Sequence, residues 1–170
     1  MTNTILPLTE LGNPILRKKA KPIATIINPD IQDLISNMLS TLKHANGVGL
    51  AAPQVGVSLR LYIVSPNPND DPYIVINPTL KRLPSNQIQD WEGCLSIPGI
   101  RGLVNRSDRI NVEFHDQYGV HHSKEFSGFI SRVFQHEHDH IDGIVYLDRI
   151  QDTKHIVTES EYIKRMESDT

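Results

Sequence analysis

An α+β fold, with antiparallel sheet packed around one late helix, is predicted by three observations. Apolar residues recur at helical spacing in two blocks, one early and one late. Between them lie segments rich in β-branched and aromatic residues. A turn at Asp116-Gln117-Tyr118-Gly119 then sends one strand back against the next. The chain has 170 residues, 38% hydrophobic and 22% charged, enough to bury a core without disulfide or metal staples. We read residues 1–170 as one domain, since no repeat, low-complexity tract or linker divides them.

Asn13 to Ala20 reads as a short first helix. The next is clearer: Asn28 caps it and Pro29 suits its first turn. Ile31, Leu34, Ile35, Met38, Leu39 and Leu42 form its apolar stripe, and Asn46-Gly47 stops it. Leu59 to Val64 and Tyr73 to Ile76 read as strands, separated by the Pro66 to Pro72 loop. Ile110, Val112 and Phe114 alternate with polar residues as in a half-buried strand, and Val120 to Phe126 returns antiparallel. In the late helix, Ser127 is the expected cap. Phe129, Ile130, Val133, Phe134 and Ile141 supply an apolar face, and Gly143 ends it. The tail from Thr158 to Thr170 is polar and weakly helical.

Net charge is −3 and the isoelectric point about 6.2, which argues against a broad nucleic-acid or membrane footprint. No run of about 18 apolar residues is present to cross a membrane. The single cysteine, Cys94, forms no internal disulfide. Met1 to Ile15 lacks the basic start and apolar run of a signal peptide. Together these place the chain in the cytoplasm.

The sharpest chemical signal is His136-Glu137-His138-Asp139-His140 inside the late helix. Residues four apart share a helical face, so His136 and His140 can address one metal ion. Glu137 is placed beside the first ligand to reach water at that ion. His138, two positions from each ligand, should face solvent, while Asp139 reads equally as a partner of a ligand histidine or an exposed carboxylate. Two histidines leave a third ligand to be found. Glu159 and Glu161 lie downstream in a polar tail. The better candidate is Cys94 in Glu92-Gly93-Cys94-Leu95-Ser96, a soft thiolate beside a glycine, although a lone cysteine also serves as a buried core residue. A third segment, Gly47-Val48-Gly49-Leu50-Ala51-Ala52-Pro53-Gln54, combines glycines that admit close approach with an amide suited to an oxyanion. Alone it reads as a helix-to-strand turn.

Taken together, the three segments resemble the peptide deformylase family. G-φ-G-φ-A-A-x-Q is met at Gly47 to Gln54, E-G-C-x-S at Glu92 to Ser96 and H-E-x-x-H at His136 to His140, in family order. The resemblance runs from about Gly12 to Arg149, in the bacterial and organellar form with E-G-C-L-S. It implies hydrolysis of the formyl group from N-formylmethionyl nascent peptides, releasing formate. The implied cofactor is one Fe²⁺ per chain, with Zn²⁺, Ni²⁺ or Co²⁺ able to substitute. Cys94, His136 and His140 would be the ligands and Glu137 the proton carrier. Gln54 and the backbone N–H of Leu95 would receive the formyl oxygen. The peptide backbone would pair with Val48, Gly49 and Gly93, and methionine would enter a slot formed by Val48, Phe129, Val133 and the His136 ring. Arg101 would contact the peptide, and Arg106 would pair with Glu92 to brace the Cys94 loop. The implied partners are nascent peptides and, transiently, the ribosome, with no direct nucleic-acid site and no membrane. Two departures stand out. The tail is short and partly acidic where some members carry a long basic docking helix. Arg132 stands one turn before His136, where some members carry an aliphatic pocket residue. The rival reading is an H-E-x-x-H metallopeptidase with broader peptide specificity, which needs a ligand after the helix and has no task for Cys94.

Overall fold

A computed structural model describes residues 4–67 and 69–168. Met1 to Asn3, Pro68 in the Pro66–Pro72 loop, and Asp169 to Thr170 at the end of the tail lie outside the described residues.

The first expected helix shrinks to a single 3₁₀ turn, Pro14–Arg17, whose cap Asn13 accepts from the Ile15 N–H. Helix α1 (Pro29–His44) matches its reading. Asn28 Oδ1 accepts from Asp30 N–H at 2.9 Å, and Asn46 takes a left-handed φ of 51° just beyond the end.

Five antiparallel strands follow as one sheet in the order β1 (Gly49–Ala51), β2 (Leu61–Val64), β3 (Tyr73–Arg82), β6 (Arg109–His115), β7 (His121–Ser127). A second sheet pairs β4 (Gln87–Cys94), β5 (Ile97–Ser107) and β8 (Ile156–Thr158). Strands β4 and β5 form a hairpin closing on Leu95-Ser96, with Cys94 opposite Ile97 and a register shift between Glu92 and Cys94. Such a bulge re-aims side chains locally.

Helix α2 (Gly128–Ile141) lies in the middle. Leu61 and Ile63 of β2 point toward α1, whereas Tyr62 and Val64 point toward Phe134 and Ile141 of α2. All four are fully buried, so β2 is covered on both faces and its alternation is invisible as polarity. Ten of the fourteen α2 residues are buried. From Ser131 to Ile141 the helix keeps almost no solvent face, and this overturns the expectation for His138, whose side chain is 15% exposed. Its side chain packs edge-on against Tyr62, with ring centroids 6.2 Å apart, and sits 3.6 Å from Asp142.

The start of α2 also differs in detail. Ser127 occupies the cap position but makes no capping bond; Asp108 Oδ1 accepts from Gly128 N–H at 3.1 Å instead. The end behaves as expected: Gly143 adopts φ +77°, and a Cβ there would lie 2.8 Å from the Arg17 backbone. Helix α3 (Glu159–Ser168) closes the described chain. No helix among the described residues is long and apolar enough to cross a membrane.

Candidate active site

Helix α2 and the β4–β5 hairpin bring the separate sequence segments to one cavity of about 500 Å³. Cys94 projects from the bulged end of β4. His136 and His140, one helical turn apart, face it. The three donor atoms lie within 4.8 Å of one another, and no other such cluster of His, Cys, Asp and Glu occurs among the described residues. Cys94 Sγ is 3.3 Å from His140 Nε2. His136 Nδ1 is taken by Glu92 Oε2 at 2.9 Å, which turns its Nε2 toward the cluster. One cysteine sulfur and two imidazoles form a soft-to-borderline donor set that suits a divalent transition metal. Three protein ligands leave a position for water. Glu159 and Glu161 are elsewhere: Glu159 holds Arg101, and Glu161 holds Lys164. The downstream ligand of the rival reading is therefore absent from the cluster.

Glu137 is buried beside the ligands, and its Oε2 has no hydrogen-bond partner within the protein. Such an orphaned oxygen fits a water held in the cavity. Burial pushes the Glu137 carboxyl up to about 7, although the neighbouring His136 pulls it down. The tight approach at Gly49 comes from this residue: a Cβ on Gly49 would lie 2.3 Å from Glu137 Oε1. Gln54 is buried in the 3₁₀ turn Ala52–Val55. Its Oε1 accepts from Ala51 N–H at 2.8 Å, which directs Nε2 toward Cys94 Sγ at 3.4 Å and Ser96 Oγ at 3.3 Å.

Glu92 is the hub beneath the cluster, a role its motif position alone did not reveal. Arg106 grips it with two bonds of 2.9 Å, as expected from sequence. Arg132 Nη1 adds a third at 2.8 Å and His136 a fourth. Arg106 also donates to Asp139 at 2.6 Å, and Asp139 accepts from Arg149 as well. Asp139 thus belongs to a buried ion network and does not touch a ligand histidine directly. Burial alone would raise the Glu92 carboxyl, but Arg106 and His136 outweigh it and hold the group far below the usual carboxylate range.

Because that value is depressed on folding, the ionised network contributes its full stability above the unfolded carboxylate range and loses it as the pH falls through the folded value. Glu92→Ala should cost about 3–5 kcal/mol, since it leaves two buried guanidinium groups without their shared counter-ion. Denaturant unfolding measures this, and a loss under about 1 kcal/mol would show the network to be unimportant for stability.

The remaining expected residues line the same cavity, including Val48, Gly49, Gly93, Leu95, Arg101, Phe129 and Val133. Strand β1 is the edge of its sheet and β4 the edge of the other, and both edges border the cavity. The Val48 carbonyl accepts from Ser65 N–H at 2.8 Å. Since successive peptide groups alternate along a strand, those of Gly49 face the open edge. Arg101 meets Glu159 through two bonds of 2.6 and 3.0 Å at the rim. There Tyr162 of α3 packs edge-on against Trp91, with ring centroids 5.6 Å apart. The polar tail thus packs beside the cavity, a placement its composition did not signal.

Comparison with known proteins gives a consistent picture. The family model for polypeptide deformylase matches residues 5–155. A peptide deformylase 2 of Nostoc sp. is 43% identical over 170 residues, covering 95% of this chain and 95% of its own. The solved peptide deformylase of Thermotoga maritima is 38% identical with a TM-score of 0.82, covering 87% of this chain and 99% of that one. A class I type b peptide deformylase from Acinetobacter baumannii, solved with Met-Ala-Ser bound, is 35% identical with a TM-score of 0.82, covering 88% and 100%.

Proposed function

The chain belongs to the polypeptide deformylase family, and from that premise we propose how its own residues carry out the reaction. It is a metal-dependent hydrolase that removes the formyl group from the N-terminal formylmethionine of newly made polypeptides. The observation that carries the residue assignment is the convergence of Cys94, His136 and His140 beside the buried, unpartnered oxygen of Glu137.

Cys94, His136 and His140 would hold the ion. When bound, a divalent ion supplies Lewis acidity toward water and toward the carbonyl oxygen. Glu137 takes the proton of the attacking water and returns it to the departing amine nitrogen, a double task suited to a carboxyl raised by burial. Gln54 Nε2 and the Leu95 N–H donate to the formyl oxygen as its negative charge grows. Losing one such donor costs about 2.7–4 kcal/mol of transition-state stabilisation. The peptide backbone lies as an added strand along Val48, Gly49 and Gly93, which makes recognition tolerant of sequence. Val48 contributes through its remaining groups, its carbonyl being engaged by Ser65. Methionine enters beside Val48, Phe129, Val133 and the His136 ring, and Arg101 meets the peptide further out. The Met-Ala-Ser seated in the Acinetobacter relative supports a tripeptide of this kind as the occupant.

Residues 1–170 act as one catalytic domain in this reading. It works in the cytoplasm, meeting nascent peptides in transient contact with the ribosome. A chelator should abolish formate release from formyl-Met-Ala-Ser, and a divalent metal should restore it. Release that persists with no metal bound would end the assignment.

Fe²⁺ is the proposed native metal, replaceable by Zn²⁺, Ni²⁺ or Co²⁺. An iron–thiolate pair is open to oxidation at both metal and sulfur, whereas zinc has no redox chemistry of its own. The iron-loaded enzyme should therefore lose activity in air while the nickel and zinc forms persist. Equal half-lives would contradict this.

A further inference from the structure

A side chain from the neighbouring strand crosses the backbone at Gly93. A Cβ on Gly93 would lie 2.8 Å from Arg101 Nη1 and 2.9 Å from its Cζ, closer than a real Cβ approaches. The guanidinium therefore rests on the backbone that pairs with the peptide in the reading above. Its position is set from the polar tail. Strand β8 pairs with β5 so that Arg101 stands opposite Val157. Glu159, two residues on and the first residue of α3, is then a diagonal neighbour within reach of a long side chain. Glu159 grips Arg101 side-on, accepting from Nε at 2.6 Å and from Nη2 at 3.0 Å. That leaves Nη1 outside the grip, over Gly93. The Tyr162 ring, its centroid 5.2 Å from Arg101 Cζ, completes the clamp.

The charge balance of the cavity turns on this pair. Among the other charged side chains that line it, Glu92 and Arg132 are bound to each other, and Glu137 stands at the donor cluster. Arg165 lies over the Trp91 ring. The Arg101 and Glu159 side chains are 34% and 39% exposed, so a peptide entering the cavity can meet either. Arg101 holds the Glu159 carboxyl below its usual value, and both groups are charged at neutral pH. Together they leave the rim without net charge. Without Glu159, an unmatched cation would lie beside the peptide path.

We propose that Glu159 is a positioning residue that sets the charge preference of the site: it holds Arg101 against Gly93 and cancels its charge, so that acidic and basic residues after methionine are accepted alike. The proposal rests on the deformylase reading of the site. A lone guanidinium over Gly93 attracts a carboxylate on the passing chain and repels an ammonium group, whereas a neutralised one does neither. The device belongs to the tail, where the short α3 brings one carboxylate to the cavity rim.

The test measures kcat/KM on formyl-Met-Ala-Asp and formyl-Met-Ala-Lys, both as C-terminal amides, and takes their ratio within each protein. Wild type should give a ratio within about threefold of one. Glu159→Gln keeps the side-chain volume but unmasks Arg101, and should shift the ratio toward aspartate by about threefold or more, the scale of a partly exposed charge pair. The shift should fade in about 1 M salt. It should also be absent when Glu159→Gln is combined with Arg101→Ala. A merely structural role would lower both substrates together and leave the ratio unmoved. A smaller or reversed shift in Glu159→Gln, or one that survives high salt or the loss of Arg101, would overturn the proposal. Should the variant not fold, the wild-type ratio still decides, because a preference for either peptide beyond about threefold shows a rim that is not neutral. Absence of formate release from both peptides by the wild type would instead overturn the functional reading beneath it.

Discussion

Glu137→Gln should lower turnover by about 10²–10⁴-fold, the range for losing general acid–base catalysis, while metal content stays near one equivalent. The substitution keeps the volume of the side chain and its capacity to hydrogen-bond, so the packing against Gly49 survives. Only the basic carboxylate is lost. Glu137 Oε2 has no partner within the protein, so no protein hydrogen bond to that oxygen is broken. Peptide affinity should change little, because the backbone and slot contacts come from other residues. The measurement pairs steady-state formate release with metal analysis of the same sample. Loss of metal would make Glu137 a ligand or an essential support. Retained turnover would make it a bystander and end the proposed proton path.

Cys94→Ala should remove both metal and turnover. Replacing a residue that merely orients a ligand costs about 10–100-fold in metal affinity, and loss of a ligand itself should exceed this. The two imidazoles would remain, but without the one soft donor of the set. Cys94 also accepts from Gln54 Nε2 at 3.4 Å, so the variant also loosens the amide proposed to receive the formyl oxygen. Cys94→Asp separates the two roles, since a carboxylate retains charge and acceptor while replacing the soft sulfur. A Cys94→Ala protein with normal metal occupancy and normal turnover would refute the ligand assignment.

Much of the site was legible because its chemistry demands particular residue types at particular spacings. H-E-x-x-H on a helix places two imidazoles on one face, and the cysteine and glutamine motifs carry groups with few substitutes. The network beneath was harder to see. Arg106 and Glu92 could be paired in advance, but the bond from Arg132 to Glu92 spans 40 positions in sequence and follows no periodicity. His138 shows the limit of helical-wheel reasoning. Angular separation from the ligands suggests exposure, yet Tyr62 of the sheet and Asp142 cover the His138 face of α2. The β4–β5 hairpin escaped notice for a related reason. Its apolar residues are interrupted by Glu92 and Arg106, a buried ion pair, and by Cys94 of the donor cluster, which breaks the alternation that marks an ordinary strand. Strand β3 runs on to Arg82 because Lys81 and Arg82 pair with Asn111 and Ile110, and the polar ending disguises that pairing.

The central claim is that the Cys94–His136–His140 centre cleaves a formyl amide and leaves the peptide bonds alone. It is tested most directly by giving anaerobically prepared, metal-loaded protein formyl-Met-Ala-Ser, and measuring formate while identifying the peptide product by mass. The account predicts one formate for each intact Met-Ala-Ser formed. Cleavage between methionine and alanine, or no formate at all, would contradict it.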